Sequence, residues 1–251
     1  MHRTGIGLAG LLVLIAAAAA PTAGPAAKRS PKEALQAFNN LIGSWRATGQ
    51  PEGTLQEKQR GFWTESQTWE WQFKGDDAWL KVAIDRGKHF SGGELRYLPD
   101  RDLYRLTLTT PAKETLTFEG PLKEEGRDGD RRLVLDRTDD TTHQTQRLIV
   151  TFLHANRFLI RYDVKPADRP VFKKVYEVGV TKEGVAFAGP GDNEPECVVS
   201  GGRGTIPVTY KGETYYVCCT GCRDAFKEAP EKYLKEYRER KAREAKEAGK
   251  D

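Results

Sequence analysis

Across residues 45–187 the apolar side chains recur at every second position, and few folds accommodate that pattern. Trp69-Glu70-Trp71-Gln72-Phe73 alternates apolar with polar residues, as a strand with one buried face does. The same period returns in Leu148, Val150 and Phe152, in Phe158, Ile160, Tyr162 and Val164, and in Tyr176, Val178 and Val180. Further strands are predicted over residues 79–84, 94–97, 103–109, 114–118 and 132–136. Turn-forming runs separate them: Lys74-Gly75-Asp76-Asp77, Gly92-Gly93, Pro99-Asp100, Asp128-Gly129-Asp130 and Pro166-Ala167-Asp168. About nine short strands without helices between them imply an antiparallel sheet, either closed into a barrel or folded into a sandwich. Closure removes the exposed strand edges.

A helix is predicted just ahead of this region. Ser30 can cap it, Pro31 suits its first position, and Glu33 completes a capping box. Leu35, Phe38, Leu41 and Ile42 lie at helical spacing, and the helix should stop near Gly43 and plug one end of the β domain. At Leu41-Ile42-Gly43-Ser44-Trp45 the chain resembles the lipocalin-like barrels, whose first strand opens with a Gly-x-Trp element, and within them a bacterial group of no assigned function. The resemblance implies a barrel with a central cavity and names no occupant. If the cavity holds a small apolar ligand, the inward-facing Trp69, Trp71 and Phe73 are the side chains expected to line it.

His2 and Arg3 precede an uninterrupted apolar run over residues 6–20 that ends in small residues, the form of a secretory leader. Fifteen residues are short for a membrane span, which needs about 20, so membrane attachment is expected only if the leader stays uncleaved. Residues 1–28 are therefore read as signal peptide and spacer, and the protein as exported, periplasmic or extracellular. The 40 basic and 36 acidic side chains are interspersed and leave a net charge of only +4, which offers no footprint for nucleic acid. The domains expected after the leader are a barrel over 29–189, a small module over 190–240 and a charged helical tail over 241–251.

All four cysteines, Cys197, Cys218, Cys219 and Cys222, fall in the last quarter of the chain. Pro207 to Tyr210 and Glu213 to Val217 flank Lys211-Gly212, a hairpin with a two-residue turn. Residues 223–227 and 231–240 then read as helix, with Phe226, Tyr233, Leu234 and Tyr237 on the apolar face. The hairpin returns Cys218 toward Cys197, and Cys222 lies one helical turn beyond Cys218, so three sulfurs can converge on a metal.

The segment from Cys197 to about Tyr237 closely resembles the YHS and TRASH family of small metal-binding modules. The likeness rests on Cys197-Val198-Val199-Ser200-Gly201, on the continuous run from Tyr210 through Cys218-Cys219-Thr220-Gly221-Cys222, on Phe226, and on Pro230-Glu231-Lys232-Tyr233-Leu234. It implies a treble-clef-like metal site with Cys197, Cys218 and Cys222 as ligands. Related zinc knuckles carry a second cysteine where this chain has Ser200. Three thiolates suit Cu(I), or Zn²⁺ with an outside fourth ligand; alternatively Cys219 supplies the fourth sulfur. A structural disulfide such as Cys197 to Cys222 is the main rival, because export favours oxidised cysteines. A redox-active Cys219-Thr220-Gly221-Cys222 at a helix start ranks third. Arg223 stands where c-type haem attachment would need histidine.

His89, His143 and His154 show no ligand spacing, and Asp128 to Asp130 and Asp139-Asp140 read as solvated turns. Ser66, Ser91 and Ser200 lack a nucleophile elbow, and the glycines lack the strand-loop-helix order of a phosphate cradle. Trp63, Trp69, Trp71 and Trp79 read as barrel core ahead of a ligand clamp. The expected protein is mainly β: an antiparallel lipocalin-like barrel, a treble-clef-like α+β metal module and a C-terminal helix. Its expected function is non-enzymatic binding of copper, zinc or another heavy metal for sensing, buffering or handover. A carrier of a small apolar ligand is the alternative.

Overall fold

The structure, a computed structural model, describes residues 29–124, 131–184 and 195–248. The leader, the Asp128-Gly129-Asp130 turn, the boundary expected near Pro190 and the last three residues lie outside the described residues. Ser30 caps α1 (Pro31–Leu35) with the full reciprocal box to Glu33. The chain then tightens into a 3-10 helix (Gln36–Leu41), where the sequence predicted one continuous α-helix. Leu35, Phe38 and Leu41 are buried beneath it. The rings of Tyr104 and Phe152 lie 5.0 and 5.7 Å from that of Phe38, and the Trp45 indole donates to the Leu41 carbonyl at 2.6 Å. The pair of helices plugs one end of the barrel.

The barrel wall is an antiparallel meander. Its strands are β1 (Gly43–Pro51), β2 (Trp63–Lys74), β3 (Asp77–Asp85), β4 (Gly92–Leu98), β5 (Leu103–Thr109), β6 (Thr115–Gly120) and β7 (Leu122–Glu124), then β8 (Arg131–Thr138), β9 (Thr145–His154), β10 (Arg157–Lys165) and β11 (Lys173–Lys182). β6 and β7 are one strand in register: Glu119 pairs with Asp136 and Leu122 with Leu133 of β8. Pro121 between them has no N–H to give the ladder, but its carbonyl accepts from Val134 N at 3.2 Å. Ten strands therefore close on themselves, because β11 pairs with β1 and β8 with β6. The strands inferred from period two all form. One element had no such signal: α2 (Leu55–Gly61), capped by Thr54 and Glu57, buries no side chain and so carries no apolar stripe to read.

After the barrel, residues 197–202 make a tight knuckle, held by Cys197 N to Gly202 O at 2.6 Å and Gly201 N to Cys197 O at 2.9 Å. β12 (Ile206–Tyr210) and β13 (Glu213–Val217) form the expected hairpin, with Lys211 and Gly212 both at positive φ, 50° and 82°. α3 (Thr220–Glu228) and α4 (Pro230–Ala248) follow. Besides the cysteines, Val198, Val199, Val217, Ala225, Phe226, Tyr233 and Leu234 are the buried apolar residues of this part, a small core for about fifty residues.

The plug belongs to the same continuous core as the wall. Phe38→Ala should therefore lower the unfolding free energy by about 3–5 kcal/mol, measured by urea denaturation followed by far-ultraviolet circular dichroism. A loss below about 1 kcal/mol would mean that the barrel end closes without it.

Candidate metal centre

The parallel bridge between Cys197 and Tyr216 sets the knuckle beside the end of β13, which delivers Cys218 and Cys219. Cys219 is the N-cap of α3, with extended backbone (φ −157°, ψ 172°), and Cys222 lies in the first turn. The sulfurs of Cys197, Cys218 and Cys222 come within 4.8 Å of one another, with Cys218 Sγ 3.5 Å from Cys222 Sγ. Cys197 and Cys222 are fully buried and Cys218 is half-buried, so the cluster reaches solvent through Cys218. All four cysteines are free thiols. Among the described residues this is the one group of three or more potential ligands that converges. His89 and His143 do not take part.

Cys219 diverges from the cluster. Its sulfur lies 3.9 Å from that of Cys218 and accepts the backbone N–H of Trp71, in the barrel, at 3.4 Å. The reason lies in the sheet. β1 begins at Gly43, opposite Trp69, so β2 runs on to Lys74 without a neighbour on that side. The start of α3 covers the bare edge. Thr220 Oγ1 donates to Glu70 at 2.8 Å, and a Cβ on Gly221 would sit 1.6 Å from the Trp71 carbonyl, an approach only glycine allows.

Ser200 occupies the place of the cysteine found in related knuckles, and it is fully buried. Its N–H donates to Cys197 Sγ at 3.4 Å, and its hydroxyl lies 3.4 Å from Cys218 Sγ. Its carbonyl accepts from Gln36 Nε2 and Asn39 Nδ2, each at 3.0 Å. The Trp71 indole N–H in turn donates to Asn39 Oδ1 at 3.1 Å. Three residues therefore connect barrel, plug and cluster; the sequence marked Ser200 as a departure from a motif and Trp71 only as an inward strand residue. Asn39 and the reach of Trp71 to it gave no local signal, because both act across long separations.

The cluster holds its charge unevenly. S–H donation from Cys218 and then Cys222 pulls the Cys197 thiol well below its ordinary range, helped by the Ser200 N–H. The same two donors, with the Trp71 N–H, lower Cys219. Cys218 is raised by giving its proton to Cys197 and Cys219, and burial raises Cys222. Closely packed sulfurs cannot all ionise unless a cation compensates them. Soft donors, burial and a ring of thiolate character together fit a soft or borderline metal ion.

Residues 205–237, which span the hairpin, α3 and the start of α4, match the YHS domain model; Cys197 precedes the matched segment. The chain thus carries a YHS domain with an adjoining cysteine cluster, behind a ten-stranded antiparallel barrel. No curated protein matches the chain. Five chains of solved structures match it. One of them, described as "Structure of EF1p2_mFAP2b bound to DFHBI", is 13% identical and covers 59% of this chain and 98% of its own, with a TM-score of 0.26. Likeness at that level carries no argument.

The junction at Gly221 makes a direct test. Gly221→Ala should destabilise the protein by about 1–3 kcal/mol and loosen the α3 contact with β2, read as a red shift of tryptophan emission as Trp71 gains water. An unchanged spectrum and midpoint would mean that α3 does not press on the Trp71 carbonyl.

Proposed function

We propose that this chain is an exported, non-enzymatic metal-binding protein that holds Cu(I) or Zn²⁺ on Cys197, Cys218 and Cys222, for sensing, buffering or handover. The observation that carries this reading is the convergence of three sulfurs within 4.8 Å, two buried and one half-buried. The knuckle, hairpin and helix around them support a treble-clef-like module. Zinc–sulfur bonds of about 2.3 Å in a tetrahedron place sulfurs about 3.8 Å apart, close to the 3.5 Å between Cys218 and Cys222. With Cys219 engaged by Trp71, the protein offers three soft donors, a set that suits Cu(I); Zn²⁺ would take a fourth ligand from outside, beside Cys218. A ligand that is only partly buried also suits exchange with another thiol carrier, as buffering or handover requires. The apolar run of residues 6–20 supports export.

A second reading has its own support. The barrel encloses a cavity between the plug residue Leu41 and the rim residues Trp63, His89 and Phe90, which supports a carrier of a small, largely apolar ligand. Trp69 lines it as expected. Trp71 and Phe73 do not: their rings stack on each other, centroids 5.5 Å apart, and Phe73 packs on Tyr233 of α4 at the junction. They share the inward face of β2 but lie past the point where the plug closes the barrel.

Elemental analysis with thiol counting on the reduced protein tests the metal reading. Replacing Cys197, Cys218 or Cys222 with Ser should each abolish stoichiometric metal, whereas Cys219→Ser should weaken binding and keep the stoichiometry. Equal loss from all four would make Cys219 a full ligand and the three-sulfur site wrong.

A further inference from the structure

The inward row of β2 is more polar than a barrel interior requires. Glu65 and Gln67 stand between Trp63 and Trp69 on this face, and both are almost wholly buried. The Trp63 indole donates to Glu65 Oε2 at 2.9 Å and Gln67 Nε2 donates to Glu65 Oε1 at 2.9 Å. Gln67 Oε1 then accepts from the Trp69 indole at 3.3 Å. Each carboxyl oxygen therefore accepts one hydrogen bond from a neutral donor and keeps a lone pair for a further one. Among the described residues no lysine or arginine forms an ion pair with it. A buried charge left without a counter-charge is costly, and protein interiors normally pair it.

Around the same end of the cavity stand aromatic faces. The His89 and Tyr176 rings stack 4.2 Å apart, and Trp63 meets both edge-on at 5.1 and 5.7 Å. Ring faces attract cations, as where Lys88 Nζ sits 4.8 Å from the Trp63 ring at the rim, although Tyr176 is itself stacked by both His89 and, at 4.9 Å, Tyr162. The remaining walls, among them Val82, Leu106, Val150 and Phe158, are aliphatic or aromatic. About 60 Å³ of the interior is open to the centre of a water molecule. One water needs roughly 10–15 Å³ on that measure, so the cavity takes roughly four to six groups of that size.

We propose that the barrel binds a small alkylammonium ion of about four to six heavy atoms, with its charged head at Glu65 among the rim aromatics and its apolar tail toward Leu41. The proposal rests on the carrier reading and specifies its ligand class. A neutral ligand of the same shape leaves the carboxylate uncompensated, and an anionic one adds a like charge beside it. Selection for a cation is thus built into β2. No bond is made or broken: binding replaces the water around the ammonium with the Glu65 oxygens and ring faces.

The test titrates the full-length protein at neutral pH with butylamine and pentylamine, and with the matching alcohols and carboxylates. It is followed by tryptophan emission and isothermal calorimetry. The amines should bind at least tenfold more tightly than the alcohols, and the carboxylates should not bind. Glu65→Gln, checked for an unchanged circular dichroism spectrum, should bring amine affinity down to that of the alcohols while leaving alcohol binding in place. Amines and alcohols binding equally well in the unaltered protein would overturn the ammonium assignment and leave the carrier reading standing. No response to any of the six compounds would overturn both.

Discussion

Much of this architecture follows from a mismatch in strand length. β2 continues five residues beyond Trp69, where β1 has not yet begun, and a strand edge left bare exposes backbone groups that need partners. The C-terminal module supplies them. Cys219 takes the Trp71 N–H, Gly221 packs on the Trp71 carbonyl, and Thr220 meets Glu70. A module with so small a core has reason to lean on a larger body, and ordering its residues costs conformational entropy that its own apolar contacts do little to offset. Lys32 with Glu236, at 2.5 Å, and Phe73 with Tyr233 extend the contact, although a partly exposed ion pair adds little stability by itself.

The same contact shapes the chemistry of the cysteines. Four sulfurs in one cluster suggest a closed tetrahedral site, but the edge of β2 draws Cys219 toward the barrel. Ser200 stands where a second knuckle cysteine would complete the set, and it hydrogen-bonds with two of the converging sulfurs in place of coordinating. Such outer partners orient ligands and tune their basicity. Here the orienting residue is itself held by Gln36 and Asn39 of the plug, so the cysteine cluster is braced from the barrel side and open on the side of Cys218.

How much of this was legible in the sequence depends on the range of the forces involved. Period-two alternation marked the wall because each strand buries one face, and Lys211-Gly212 marked a turn that both residues enter at positive φ. The Ser30 and Glu33 box was legible because its partners are three residues apart. α2 left no pattern because it buries nothing, and the switch to a 3-10 helix after Leu35 answers to packing under Tyr104 and Phe152. The three converging cysteines were readable from spacing and motif together. The divergence of Cys219 was not, since its partner Trp71 is 148 residues away in sequence. Periodicity also placed Trp71 and Phe73 on the inward face correctly, yet it carries no information on where along the barrel axis the plug ends.

One face of β2 therefore runs from the barrel cavity to the cysteine cluster. From the rim inward its residues run Trp63, Glu65, Gln67 and Trp69 along the cavity, then Trp71 and Phe73 at the junction with the cysteines. Every residue of β2 is paired on at least one side, with β1 up to Trp69 and with β3 from Ser66 onward, and the indole of Trp71 is tied through Asn39 to the Ser200 carbonyl. Contiguity of this kind is not yet coupling, which requires an element with two arrangements that both ligands bias. The element with most freedom to provide it is the docked module, because its hold on the barrel is a short edge contact and a few side chains, whereas the barrel is closed by hydrogen bonds all round. Any linkage between metal and barrel ligand would then run through how firmly α3 seats on Trp71, and it would act equally in both directions.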